Sequence, residues 1–167
     1  GTWGKITGDN LTSAGYKQLL EQVLDAIKPQ VAYVFCDWRM WQDTALTLDA
    51  LGLATRAMIV WDKGAPGLGA LWRPQKELVA FGTRVGMKRK AGQAGPPDVI
   101  RVSRTKNLWH YTEKPIAIIR KLLEGDEASG RRGLIVDPFV GSGTTFHAAE
   151  ELGREVVAAE IEPGFAD

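Results

Sequence analysis

Leu134-Ile135-Val136-Asp137-Pro138-Phe139-Val140-Gly141-Ser142-Gly143-Thr144-Thr145, followed by Phe146-His147-Ala148-Ala149, is the stretch whose reading decides the fold. Leu134, Ile135 and Val136 read as a short buried strand, the two glycines as a tight turn, and Thr144 through Leu152 as a helix with Ala148, Ala149 and Leu152 on one face. Gly141 and Gly143 lack a Cβ, so the backbone there can take positive φ and a ligand can come close to it. The amide N–H groups at the start of the helix are then available to a carboxylate or phosphate. Glu155-Val156-Val157-Ala158-Ala159-Glu160 follows as a second apolar strand. It ends in an acid 19 positions beyond Gly141. In dinucleotide-type folds an acid about 20 residues past the glycines accepts a hydrogen bond from a ribose hydroxyl. The unit therefore reads as a site for a nucleoside cofactor.

Two familiar sites do not fit the turn. A P-loop needs a Lys-Ser or Lys-Thr pair after its second glycine, and Thr144-Thr145 stands there instead. The dinucleotide fingerprint has a third glycine opening the helix, which is missing. A generic glycine-rich strand-to-helix turn is the plain alternative for a bare glycine pair. With Asp137-Pro138-Phe139 before it and Glu160-Ile161-Glu162-Pro163 after it, the stretch resembles the Asp-Pro-Phe-x-Gly-Ser-Gly-Thr-Thr motif of S-adenosylmethionine-dependent DNA amino-methyltransferases. The resemblance implies that Phe139 contacts the cofactor S-adenosyl-L-methionine. It further implies that the turn at Gly141, Ser142 and Gly143 passes the methionine moiety, that Glu160 holds the ribose, and that Asp137 and Thr144 share the lining.

The rest of the chain is read against its composition. A length of 167 residues with 44% hydrophobic content allows one domain with a real core, and net charge is only +1. No run of 18 apolar residues occurs and no charged-then-apolar leader opens the sequence, so a cytoplasmic protein with no membrane partner is expected. The single cysteine, Cys36, excludes an internal disulfide framework and a cysteine-rich zinc site. It ends the apolar run from Val31 and reads as a buried thiol rather than a nucleophile. No metal site is expected.

In order, Gly1 to Asn10 is a polar, glycine-rich loop, and Leu11 to Ile27 spaces Leu19, Leu20, Val23, Leu24 and Ile27 at helical intervals. Val31 to Cys36 is a strand, Asp37 to Trp41 a loop at its carboxyl end, Thr44 to Leu51 a helix and Leu53 to Trp61 another strand. Helix, strand, helix, strand implies a parallel sheet with helices on its faces. Asp62 to Ala70 is a flexible loop leading through Trp72-Arg73-Pro74-Gln75 into the strand Glu77 to Gly82. Lys63, Arg73 and the tryptophans there suit either nucleic-acid contact or aromatic packing in a solvated loop.

From Gly86 to Asn107 the apolar periodicity disappears. Lys88, Arg89, Lys90, Arg101, Arg104 and Lys106 stand against one acid, Asp98. Six cations form a footprint suited to phosphate contacts, and a solvated basic insertion is the plain alternative. In the β-ordered class of the family the target-recognition region falls at this place, so the resemblance implies DNA binding there. His110-Tyr111-Thr112-Glu113-Lys114-Pro115 then precedes a helix from Ile116 to Leu123, with Ile116, Ile119, Leu122 and Leu123 as its buried face and Pro115 in its first turn. This run resembles the family's second cofactor motif, which places His110, Thr112 and Lys114 at the methionine end. Gly125 to Gly133 reads as a polar connector.

The resemblance spans about Trp3 to Phe165 and implies a single α/β domain with a Rossmann-like, doubly wound, mostly parallel sheet, incomplete over these residues. Its parts are 1–85, the remainder of a catalytic half; 86–107, the basic recognition loop; and 108–167, the cofactor half. The family's catalytic signature, Asp or Ser followed by Pro-Pro and an aromatic, does not occur, and it is expected upstream of residue 1; catalytic residues are therefore unassigned. The implied activity is methyl transfer to an exocyclic amino group of adenine or cytosine in DNA. The alternatives are an inactive module that binds cofactor and DNA, or a methyltransferase acting on RNA or protein. DNA is the expected partner, and self-association as a homodimer is left open.

Overall fold

Val31–Cys36 forms strand β1, and its alternating burial places Ala32 and Cys36 against the helices while Tyr33 and Phe35 face partly outward. In the computed structural model, which describes residues 11–88, 92, 94–104 and 113–160, the chain forms two compact units, Gly1–Lys88 and Arg89–Asp167. His110, Thr112, Arg89, Lys90 and Lys106 lie outside the described residues, as do the loop expected at Gly1 to Asn10 and the segment after Glu160.

The first unit opens with α1 (Ser13–Ile27), capped by the Thr12 side chain, which accepts from the Gly15 N–H. Its inward face is Leu20 and Leu24; Leu19, expected inside, is exposed because it lies one position off that stripe. After β1 comes α2 (Trp41–Ala50), which begins three residues before the expected Thr44. The Asp37 carboxylate accepts from the Arg39 and Met40 amides and closes the preceding turn. Strands β2 (Leu53–Asp62) and β3 (Lys76–Arg84) complete the unit.

The strands lie in the order β1-β3-β2, and β3 runs antiparallel to both neighbours. β1 and β2 thus point the same way, as a strand-helix-strand crossover requires, with a returning strand between them. Being central, β3 is covered on both faces, and Leu78, Val79 and Ala80 are buried in succession. Tyr33 and Phe81, directly opposite in register, stack at 5.0 Å. The core gathers Leu20, Leu24, Ala32, Leu48, Leu53 and Ala80, with Tyr16 and Trp41 packed on it. Thr44 is fully buried and satisfied: its hydroxyl donates to the Met40 carbonyl at 2.8 Å and shares a 2.7 Å bond with the Tyr16 hydroxyl. Burial pushes the Tyr16 phenol and the Cys36 thiol above their ordinary pKa values, and Cys36 is buried as its apolar run implies.

The second unit contains β4 (Val99–Arg101), α3 (Ile116–Ala128), β5 (Ile135–Asp137), α4 (Thr144–Glu151) and β6 (Val156–Ala158). Two expectations fail on α3. Its buried face is Ile118, Leu122, Leu123, Gly125 and Asp126, with Ile116 exposed. The helix also runs five residues beyond Leu123, because Asp126 is neutralised by the Arg131 guanidinium at 2.7 Å and can be buried. The connector after it is held by arginines: Arg154, with a 4% exposed side chain, donates to the Gly133 carbonyl at 2.6 Å, and Arg132 donates to the Leu152 carbonyl at 2.8 Å. β5 and β6 pair in parallel, Ile135 with Val156 and Asp137 with Ala158. They are less buried than their composition predicts. Val136 and Val157, opposite each other in register, are 41% and 55% exposed.

Arg84 ties the first unit together at its strand ends, its guanidinium donating to the Pro29 carbonyl at 2.9 Å and the Leu51 carbonyl at 2.6 Å. Arg84→Met keeps the aliphatic stem but strands both carbonyls, and should lower unfolding stability by about 1–3 kcal/mol. Chemical denaturation followed by tryptophan fluorescence measures this, and a midpoint equal to that of the unmodified protein would contradict the role given to Arg84.

Candidate cofactor and nucleic-acid site

The turn between β5 and α4 is built by local hydrogen bonds that the sequence makes available. Pro138 cannot donate, so the chain leaves β5 at Asp137, whose carboxylate accepts from the Phe139 N–H at 3.0 Å. Val140 N–H donates to the Ala159 carbonyl and Ala159 N–H donates to the Asp137 carbonyl, at 3.1 and 2.9 Å. The parallel pairing of the strands therefore continues past their ends into the turn. Gly143 N–H returns to the Val140 carbonyl at 3.0 Å, and α4 starts at Thr144.

Both glycines use the freedom they were expected to need. Gly141 has φ +51° and Gly143 φ +77°, the left-handed region that costs a residue with a Cβ roughly 1–2 kcal/mol. Among the described residues, a Cβ on Gly141 would meet only the Phe139 carbonyl oxygen, 4.0 Å away. Above Gly143 stands His147, whose Nε2 would lie 3.8 Å from such a Cβ. His147 carries no signal in the sequence and comes to this place only because it follows Gly143 by one helical turn, its N–H donating to the Gly143 carbonyl.

Glu160 closes the arrangement. Its carboxylate accepts the Gly141 N–H at 2.8 Å, a bond between residues 19 apart that brings the predicted acid directly onto the predicted turn. A carboxylate on a backbone N–H is a charge-assisted bond, worth about twice a neutral one. The Ser142 and Thr144 hydroxyls are 3.2 Å apart, with Thr144 buried. Phe139 projects from the same turn with 59% of its surface exposed, a large apolar ring held next to polar acceptors. Asp137, Phe139, Gly141, Ser142, Gly143, Thr144 and Glu160 therefore converge on one place. Lys114 is half-buried in the segment ahead of α3.

Of the basic stretch, Lys88, Arg101 and Arg104 are described, and all three are exposed. Asp98 to Arg101 is not wholly irregular, since Val99–Arg101 is the strand β4, too short to give a periodic signal. Pro96 and Pro97, with Ile100, Arg101, Lys121 and Glu124, line a shallow groove of about 370 Å³ in which Pro96 packs over Gly125 of α3. None of the residues of the glycine turn borders it. Among the described residues no group of His, Cys, Asp or Glu side chains is placed to hold a metal ion.

This geometry has relatives. A family model described as DNA methylase matches residues 87–167, the span that holds the glycine turn and Glu160. Two curated relatives match over 65 residues each, 39% of this chain, and the matched segment spans 28% and 20% of their own lengths. The second is the type II methyltransferase M.HindIII of Haemophilus influenzae, 32% identical over that segment. Among solved structures, a complex of M1.HpyAVI with SAM superposes with a TM-score of 0.71 at 22% identity, covering 89% of this chain and 78% of that one. The PvuII DNA methyltransferase, described as cytosine-N4-specific, gives a TM-score of 0.76 at 13% identity over 99% of this chain and 73% of that one. The fold is thus the α/β, Rossmann-like methyltransferase fold, with the antiparallel β3 as an addition to the parallel scheme read from the sequence.

The left-handed backbone at Gly143 supplies a test that needs no ligand. Gly143→Ala should destabilise the protein by about 1 kcal/mol. Gly133→Ala, at an open position without positive φ, should be close to neutral. Equal thermal shifts in the two variants would mean that the turn is not built as described.

Proposed function

We propose that this chain is part of an S-adenosylmethionine-dependent DNA methyltransferase acting on an exocyclic amino group of adenine or cytosine. The observation that carries the reading is the joining of the Gly141 amide to the Glu160 carboxylate across the ends of β5 and β6. The residues present fit the cofactor: the space above Gly141 admits a ligand against the backbone, and an acid stands at the end of the second strand. When bound, S-adenosylmethionine supplies an electrophilic methyl group on a sulfonium.

The roles of the chain's own residues follow. Gly141 donates to the Glu160 carboxylate and fixes it at the end of β6, where a ribose hydroxyl could donate to it. Gly141 and Gly143 keep the turn bare where the methionine moiety passes. Phe139 offers an exposed ring to the adenine or to the sulfonium end. His110, Thr112 and Lys114 are assigned to the methionine end. Lys88, Arg89, Lys90, Arg101, Arg104 and Lys106 are assigned to phosphates, where they supply affinity rather than sequence information.

The acceptor nitrogen is a weak nucleophile because its lone pair is delocalised into the base, and it is inaccessible inside the duplex, so the base must leave the stack. Acceptors for its amino hydrogens orient that lone pair and favour the transition state. The Asp- or Ser-Pro-Pro-aromatic tetrapeptide that the resemblance gives this task does not occur in residues 1–167. A cytoplasmic location goes with this reading; among the described residues no helix is long and apolar enough to cross a membrane.

The reading is tested by transfer from S-adenosylmethionine labelled in its methyl group to unmethylated DNA. Label should enter DNA and should fall at least 100-fold in a Phe139→Ala, Gly141→Asp variant, and nucleoside analysis of the product then names the base. Saturable cofactor binding without transfer to DNA would support the inactive module instead, and transfer to RNA or protein alone would overturn DNA as the substrate.

A further inference from the structure

The loop between β2 and β3, expected to be flexible, is a braced hairpin with an apolar tip. Its base is closed by Lys63 N–H to the Gln75 carbonyl at 2.9 Å and Gly67 N–H to the Pro74 carbonyl at 2.7 Å. The Asp62 carboxylate accepts from Gly64 N–H and from the Gln75 side chain. Arg73 donates to the Gly67 carbonyl at 2.8 Å, and Lys63 pairs with Glu77 while standing over the Trp61 ring. The polar groups of the hairpin are thus engaged in holding it. What it presents outward is Leu68, Leu71 and Trp72, exposed by 95%, 92% and 99%.

Nothing in folding the first unit accounts for three large apolar side chains left almost wholly in water within five residues of each other. The hairpin leaves β2 at its carboxyl end. β1 points the same way, and the register that sets Cys36 and Val60 both opposite Leu78 puts the Asp37–Met40 loop on the same edge, with Trp38 also exposed. Ligands of open α/β sheets bind at this edge.

From this placement we infer that the Leu68-Leu71-Trp72 tip is a wedge that enters the DNA base stack and holds open the space left when the target base is turned out. The inference rests on the methyl transfer to DNA proposed above. Size favours DNA over a second copy of the chain: three side chains offer on the order of 500 Å², whereas a stable protein interface buries about 800 Å² on each partner. Charge agrees, since Asp62 to Glu77 holds three cations, Lys63, Arg73 and Lys76, to two acids, and so does not repel phosphates. Apolar wedges of Leu or aromatic type are a known means of unstacking a base step.

A wedge matters only where there is a stack to open, and this separates it from other roles. Using the full chain, methyl transfer is measured on amplified bacterial DNA presented as duplex and as heat-denatured single strands. The substitutions are Leu68→Ser, Leu71→Ser and Trp72→Ala together, with Trp72→Phe as the conservative control. The triple variant should lose at least 10-fold in kcat/KM on duplex and less than 2-fold on single strands, Trp72→Phe should retain most activity on both, and sedimentation should be unchanged. Equal losses on both substrates, or no loss on duplex, would overturn the wedge. A shift of the triple variant to a smaller assembly would overturn it in favour of a contact between copies. If the unmodified full-length protein methylates neither form of DNA, the proposed function itself fails, and the wedge with it.

Discussion

The bond from the Gly141 amide to the Glu160 carboxylate is the constraint on which the second unit depends. It requires β5 and β6 to be parallel and adjacent, so that the turn after one reaches the residue that ends the other. It requires Gly141 to take a left-handed backbone that points its N–H across the strand ends. It also requires the continuation of the ladder through Val140 and Ala159, which holds the two segments in register. A hydrogen bond to an ionised acceptor contributes about 1.5–3 kcal/mol, enough to order a short turn that has few apolar contacts of its own. The consequence for function is that a carboxylate and a bare stretch of backbone are held in fixed relation before any ligand arrives. Preorganisation of this kind removes part of the cost of binding.

The first unit solves a different problem. A crossover through α2 leaves β1 and β2 pointing the same way with a gap between them, and β3 fills that gap by returning antiparallel. The central strand then carries the apolar load, while the two loops at the carboxyl edge are free of it. Those loops are stabilised by polar bonds instead. Burial alone would raise the pKa of Asp37, but its bonds to the Arg39 guanidinium and to the Arg39 and Met40 amides outweigh that and hold the carboxyl below its usual value. Asp62 anchors the hairpin with the same chemistry.

Much of this was legible in the residues, and the failures have physical causes. Apolar runs located β1, β2 and β3 because buried strands need them, but a strand's direction is not written in its composition, so β3 could not be read as antiparallel. Ile116, Ile118 and Ile119 are close enough in sequence that helical spacing alone does not choose among them; packing selects Ile118. Asp126 looked like the start of a connector because its partner, Arg131, lies five residues on and beyond the helix. β4 is three residues in a polar stretch, below the length at which a pattern exists. At the site, the lack of side chains on Gly141 and Gly143 announced the turn, and the distance to Glu160 announced the acid. The direct contact between them was not foreseen, since it depends on where the ends of two paired strands fall. The bond from Arg73 to the Gly67 carbonyl was equally hidden, because a loop arginine reads as an unattached cation until the carbonyls around it are known.

The central claim is that the joined glycine turn and Glu160 form a cofactor site, and titration calorimetry with S-adenosylmethionine tests it most directly. The account predicts one saturable site on the unmodified protein and at least a 10-fold loss of affinity in Glu160→Ala, in a protein whose circular dichroism is unchanged. Absence of binding to the folded, unmodified chain, or equal affinity in Glu160→Ala, would contradict it.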